Sequence, residues 1–164
     1  QRCKVLLLGN GSAGKTKLAL NLVPGCRNED PQNGGHYRGT THGIQFFNWP
    51  DFEAQTPDAV QLPVHLHLWD FGGQDIYHST HRQFVNRGSV FLLLWNPQQD
   101  NQQPPAEANG FQDTWHGLRY WLDYLTVACP DSRPQIAIVC THQGKDWQQR
   151  RPQLLQQLQR AVGD

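Results

Sequence analysis

The chain has no methionine and only four cysteines among its 164 residues. Cys3, Cys26, Cys129 and Cys140 have neither the close spacing of a zinc site nor the pattern of a disulfide framework. Free thiols in a reducing, cytoplasmic setting are the simplest account, with Cys3 and Cys140 expected to be buried because they lie in or at apolar runs. An excess of one charge is lacking too. The 14 Lys and Arg balance 14 Asp and Glu, so bulk charge favours neither a nucleic acid nor an anionic membrane as partner. No apolar run approaches the ~18–20 residues of a bilayer span, and no secretory leader is visible. With a start at Gln1 and no Met anywhere, the expectation is a piece cut from a longer protein or a trimmed chain.

What is present is an alternation of strand and helix patterns, in a length that suits one domain with a core. Residues 3–8 read as a buried strand and 15–22 as a helix ended by Pro24 and Gly25. Residues 27–41 are polar and glycine-rich, a mobile loop by composition. Residues 43–49 read as a strand stopped by Pro50. Residues 64–71 alternate, with Val64, Leu66 and Leu68 on one face and His65, His67 and Trp69 on the other. Residues 89–95 form a continuous apolar run, as a central strand covered on both faces requires. Residues 96–110 are rich in Gln, Pro and Asn and read as an extended, flexible surface loop. Phe111, Trp115, Leu118, Leu122 and Leu125 mark one face of an amphipathic helix, broken by residues 130–134. Residues 135–140 are another buried strand, and Leu154, Leu155, Leu158 and Val162 belong to a last helix beginning near Lys145. This rhythm predicts a three-layer α/β/α domain.

The most specific motif is Gly-Asn-Gly-Ser-Ala-Gly-Lys-Thr at residues 9–16, directly behind the apolar Val5, Leu6, Leu7 and Leu8. It fits G-x-x-x-x-G-K-[ST], a P-loop, in the strand-before, helix-after context the pattern needs. Such a turn aims main-chain N–H groups at a polyphosphate, here those of Gly11, Ser12, Ala13, Gly14, Lys15, Thr16 and Lys17. The helix opening near Gly14 adds its positive dipole end. Lys15 reaches the β and γ phosphates as a point charge, and the Thr16 hydroxyl is offered to Mg²⁺. The alternative is a plain glycine-rich strand-to-helix turn.

A second constellation follows the strand at 64–71, where residues 69–74 read Trp-Asp-Phe-Gly-Gly-Gln. Asp70 can hold Mg²⁺ through a water, the Gly73 N–H can sense a γ-phosphate, and Gln74 can orient an attacking water. Upstream, Thr41 could cap Mg²⁺ when a γ-phosphate is present. Thus Lys15, Thr41 and Gln74 are the candidate catalytic residues, and Thr16, Thr41 and Asp70 the candidate metal ligands.

Residues 69–74, then His78, Ser79, Thr80, His81, Phe84 and Arg87, with Thr-His-Gly-Ile at 41–44, make the chain resemble a small Ras-type GTPase. Within that superfamily it is similar to the Roc (Ras of complex proteins) domain of the Roco family, which includes the leucine-rich-repeat kinases. The likeness runs from Cys3 to about Trp147. It implies a Ras-like P-loop NTPase fold with a mostly parallel sheet and one antiparallel edge strand. It also implies GTP and GDP binding with Mg²⁺, GTP hydrolysis and a switch between two loop states. Outside this sequence the family has a COR dimerisation domain following and often leucine-rich repeats preceding, so a homodimer is a possible assembly.

Two departures from the family pattern stand out. Guanine recognition there uses Asn or Thr, Lys or His, any residue, then Asp. Thr141 and His142 match, but Gly144 stands where the carboxylate belongs. Hydrogen bonds to a charged group are worth ~1.5–3 kcal/mol each, so its loss costs at least about tenfold in affinity. Asp146 could loop back to replace it; otherwise base selectivity is weak. Second, the family's last strand and base-contacting loop would follow Asp164, leaving the domain truncated at its C-terminal side.

Several features have plainer readings beside the functional ones. Gln74 could be a solvated side chain. Arg38 could stabilise charge on the transferring phosphoryl in cis, or simply be exposed. His78 with His81, and His65 with His67, could each share a metal, but neither pair has a third ligand nearby and packed or surface histidines are the plainer account. Trp69, Phe71 and Trp95 read as layer-packing groups. A pseudo-GTPase serving as a structural or dimerisation module is the alternative function, and an ATP-using P-loop protein a further rival.

Overall fold

The computed structural model describes residues 1–26, 29–30, 35–36, 41, 43–73, 84, 88–100, 102, 114–130, 134–142, 144–145 and 147–162. In chain order the elements are β1 (Arg2–Leu8), α1 (Lys15–Leu22), β2 (Glu29–Asp30), β3 (Gly35–His36), β4 (Ile44–Gln55), β5 (Gln61–Phe71), β6 (Ser89–Trp95), α2 (Leu118–Ala128), β7 (Gln135–Cys140) and α3 (Trp147–Val162). The main sheet has five strands in the order β4-β5-β1-β6-β7, and β2 pairs with β3 separately. β1 is parallel to both β5 and β6, and β6 to β7. Within the main sheet only β4 is antiparallel, paired with β5 at the edge. This is the mostly parallel sheet with one antiparallel edge strand that the Ras-like resemblance implies. Among the described residues no strand follows β7.

Period-two alternation in β1 divides the core into two layers. Val5 and Leu7 pack with Ala19 and Val23 of the α1 side, with Phe47, Leu68 and Leu94. Leu6 and Leu8 face the other way, onto Leu118, Trp121 and Leu125 of α2, with Phe71, Phe91 and Leu93. Leu154, Leu158 and Ala161 of α3 pack against this second layer. Helices therefore cover both faces, and Trp69, Phe71 and Trp95 are packing groups as their pattern suggested.

Several boundaries differ from expectation. β4 does not stop at Pro50 but runs on to Gln55. A register shift between Trp49 and Phe52 inserts one extra residue there. A bulge on an edge strand tolerates proline, because the missing N–H is not required by the ladder. β5 correspondingly begins at Gln61 rather than Val64. α2 starts only at Leu118, with Trp115 in the extended stretch before it, and Phe111 lies outside the described residues. Leu155 and Val162 of α3 are exposed while Leu154 and Leu158 pack. Cys3 and Cys140 are half-buried rather than buried, and Cys129 is the buried thiol. No helix of the described residues is long and apolar enough to cross a membrane.

Candidate functional site

The carboxyl ends of β1, β5, β6 and β7 converge on one edge of the sheet, the position where open α/β sheets hold ligands. β1 delivers the chain to Gly9, whose φ is +135°. A Cβ there would overlap the Leu94 carbonyl oxygen of β6, so only glycine fits. Ser12 and Gly14 also have positive φ, at 60° and 92°. These bends turn residues 10–14 into a cradle that ends at Gly14, the N-cap of α1. The Ala13 N–H donates to the Asn10 carbonyl at 3.2 Å and the Leu18 N–H to the Gly14 carbonyl at 2.9 Å.

Lys15 leaves the first turn of α1 and is only 6% exposed. Its Nζ donates to the carbonyls of Gly9 and Asn10, each at 2.8 Å. The ammonium thus lies over the cradle itself.

Thr16, Thr41 and Asp70 come from three distant stretches and meet beside Lys15. The Thr16 hydroxyl donates to Asp70 Oδ2 at 2.5 Å and lies 2.7 Å from the Thr41 hydroxyl. The Thr41 hydroxyl donates to the same Oδ2 at 3.2 Å. Asp70 is fully buried, and its Oδ1 has no hydrogen-bond partner among the described residues. Burial holds its carboxyl above the ordinary carboxylate range, against the opposing pull of the Thr16 bond, the Lys15 charge and the Thr41 bond. Two hydroxyls and a carboxylate with a spare oxygen form a hard-oxygen donor set that fits Mg²⁺. Among the described residues no group of three His, Cys, Asp or Glu side chains is placed to share a metal. His65 and His67 stack at 4.4 Å instead, with His67 Nδ1 2.9 Å from Asn48 Oδ1.

Gly73 presses its backbone on the cradle. A Cβ there would overlap the Asn10 carbonyl carbon, the Gly11 nitrogen and the Lys15 ammonium. One residue earlier, the Gly72 N–H donates to the Gly43 carbonyl at 2.9 Å. The stretch after Thr41 and the stretch after Asp70 are thereby joined by main chain.

At the other end of the site, the Thr141 N–H donates to the Trp95 carbonyl at 2.8 Å. His142 has a φ of 57°, its Nδ1 is 3.1 Å from the Thr141 hydroxyl, and its Cε1 would lie 3.8 Å from a Cβ on Gly14. Gly144, with φ of 65°, faces Arg150, whose Nη2 would be 3.8 Å from an added Cβ.

Of the residues expected to act, Gly11, Ser12, Ala13, Gly14, Lys15, Thr16, Lys17, Thr41, Asp70, Gly73, Thr141 and His142 are described and fall along this edge. Gln74, Asp146, Arg38, His78 and His81 lie outside the described residues. Two participants were missed. Asn10 is 5% exposed and Gln99 is 3% exposed, and both bond to or from the stretch around the cradle. Their residue types are ordinary in surface turns, so no sequence signal distinguishes them.

The family model described as "Ras of Complex, Roc, domain of DAPkinase" matches residues 4–144. The probable serine/threonine-protein kinase pats1 of Dictyostelium discoideum is 26% identical over 151 residues, covering 86% of this chain and 4% of that protein. The probable serine/threonine-protein kinase roco5 of the same organism is 37% identical over 109 residues, 63% of this chain and 3% of that protein. A Roc-COR-CHAT protease from an unknown prokaryotic organism is 28% identical over 127 residues, 75% of this chain and 11% of that protein. The chain therefore spans at most 11% of the length of these three relatives.

Proposed function

Starting from the chain's membership of the Roc family, shown by the match over residues 4–144, we propose that it is a GTP-dependent switch that resets itself by hydrolysis. The observation that carries this is the meeting of Thr16, Thr41 and Asp70 beside Lys15, with Gly73 against the cradle. The phosphate-holding loop and both candidate sensing stretches are there in direct contact.

Main-chain N–H groups of residues 11–17 and the α1 N-terminus bind the phosphates. Lys15 exchanges its two carbonyl partners for β and γ phosphate oxygens. Thr16 and Thr41 would supply hydroxyl oxygens to Mg²⁺, with the Asp70 carboxylate as the acidic member of that set. When bound, Mg²⁺ neutralises charge on the β and γ phosphates. The Gly73 N–H faces the γ-phosphate, and Gln74, next in the chain, aligns a water opposite the bond to be broken. Water oxygen bonds to the γ phosphorus as its bond to the β-γ bridging oxygen breaks, leaving GDP and inorganic phosphate. Loss of the γ-phosphate then frees the stretches at Thr41 and Gly73, an order change that a partner can read. Residues of a COR domain, the neighbour named in the Roc-COR-CHAT relatives, are the first candidates for that partner.

A second reading has its own observation. Gly144 carries no carboxylate where the guanine-binding pattern needs one, and its φ of 65° is costly for most side chains. A pseudo-GTPase that holds nucleotide as a structural module fits that loss. Single-turnover phosphate release separates the two: the switch reading expects bound GTP to be cleaved faster than free GTP in Mg²⁺, and a rate equal to that of free GTP rejects it. Nucleotide released from the purified protein should be guanine; adenine would favour an ATP-using protein instead.

A further inference from the structure

We propose that Asn10 is a positioning residue for nucleotide binding: its side chain clamps the phosphate loop to residues 116–121, at and just ahead of the start of α2. This rests on the nucleotide reading above and goes beyond it, since Asn10 is a variable position of the loop pattern.

All the polar atoms of the Asn10 side chain are used. Oδ1 accepts the His116 N–H at 3.0 Å and the Trp121 indole N–H at 3.1 Å. Nδ2 donates to the His116 carbonyl at 2.8 Å. The carbonyl of the same residue holds Lys15 Nζ at 2.8 Å and accepts the Ala13 N–H. One residue therefore joins the lysine, the bend of the cradle and the second helical layer. The next residue is held from the same side, because Gln99 Nε2 donates to the Gly11 carbonyl at 2.9 Å.

The far side of the clamp is itself closed. The Trp95 indole N–H lies 2.9 Å from both Asp100 carboxylate oxygens. The Asp100 carboxylate also accepts the backbone N–H of Leu118, the first residue of a helix whose N-cap, Gly117, offers no side-chain oxygen. The turn after β6 and the start of α2 are thus fixed to one another, and both grip residues 10 and 11.

Asn10 has no charge to attract a phosphate, and its side chain points to His116 and Trp121 rather than across the cradle. Its effect is preorganisation: it keeps the peptide groups at 10 and 11 in place before a ligand arrives. Losing it should speed ligand release and leave the chemical step alone.

The test measures mant-GDP dissociation in Mg²⁺ together with single-turnover cleavage of bound GTP. Asn10→Ala removes three hydrogen bonds and should raise the dissociation rate about tenfold. Its cleavage rate for bound GTP should stay within about twofold of wild type, because the clamp touches no reacting atom. Trp121→Phe deletes only the indole donor and should raise release about threefold. The double variant should release no faster than Asn10→Ala alone, since both changes break one clamp. Leu158→Ala, which loosens the same core layer, serves as the control and should leave release unchanged. Should Asn10→Ala not fold, Trp121→Phe decides the matter. Wild-type release rates in the clamp variants, or equal acceleration in Leu158→Ala, overturn the proposal. A wild-type chain that takes up no mant-GDP overturns the nucleotide reading and the clamp with it.

Discussion

The phosphate end and the base end of the site are built differently. At the phosphate end Asn10, Lys15, Asp70 and Gln99 are all buried polar groups. Their neighbours come from β1, α1, β5, the turn after β6 and the stretch before α2. At the base end Thr141 is half-buried, His142 and Gly144 are exposed, and Gly144 has no side chain to offer. A buried polar group is costly unless its partners are in place, so the phosphate end must be shaped by the fold itself. The base end carries no such obligation. The contrast fits the proposed reading, in which affinity is lodged in the polyphosphate grip and choice of base is a thin addition.

The strongest way to break this comparison is Lys15→Ala. It removes the buried ammonium from the cradle and should cost roughly 10²–10⁴-fold in GDP affinity, from two charge-assisted hydrogen bonds at ~1.5–3 kcal/mol each. Titration with fluorescent GDP measures it, and wild-type affinity would mean that the grip lies elsewhere. Gly144→Asp sharpens the other side. A carboxylate returned to the base end should raise GDP-over-ADP preference about tenfold. Asp is among the residues that tolerate positive φ, and competition titration shows whether preference moves. No change would place base recognition away from Gly144.

The smallest effect concerns Asp70 without metal. Its pKa is raised in the folded chain by burial. The stabilisation linked to its proton is therefore complete below the unfolded value and is lost as pH rises through the folded value. Deprotonation of Asp70 leaves the metal-free protein with a buried carboxylate whose Oδ1 has no partner among the described residues. Asp70→Asn should accordingly raise the metal-free melting temperature at pH 7 by about 2–4 °C, the shift expected for ~1 kcal/mol in a chain of this size. The gain should shrink towards acid pH, while Mg²⁺ no longer stabilises the variant. Calorimetry across pH, with and without Mg²⁺, gives the answer; a gain that persists unchanged in acid would contradict the assignment of Asp70.

Much of this architecture is legible in the amino-acid order. Residues 89–95 and 135–140 are short apolar runs that coincide with β6 and β7; β6 is the covered central strand its run suggested, whereas β7, expected to be buried, lies at the sheet edge with Gln135 and Ala137 exposed and the rest half-buried. β4 was misjudged because Pro50 reads as a stop, whereas an edge strand with a bulge carries it through. That Lys15, Thr16 and Asp70 come together was legible because the loop pattern fixes the first two and an acidic residue at a strand end suits a metal beside phosphates. Asn10 and Gln99 were not, because their importance comes from burial, and burial of a loop amide is decided by elements distant in the chain. The start of α2 at Leu118 has a similar origin: the helix begins where Asp100 meets the Leu118 N–H, a contact that no local pattern announces.

The hydrogen bond from the Gly72 N–H to the Gly43 carbonyl has a mechanical meaning. It ties the stretch entering edge strand β4 to the stretch leaving β5. In the switch proposed above, a protein that grasps one of these stretches would tug on its companion as well, so a small footprint would suffice to register the state of the site.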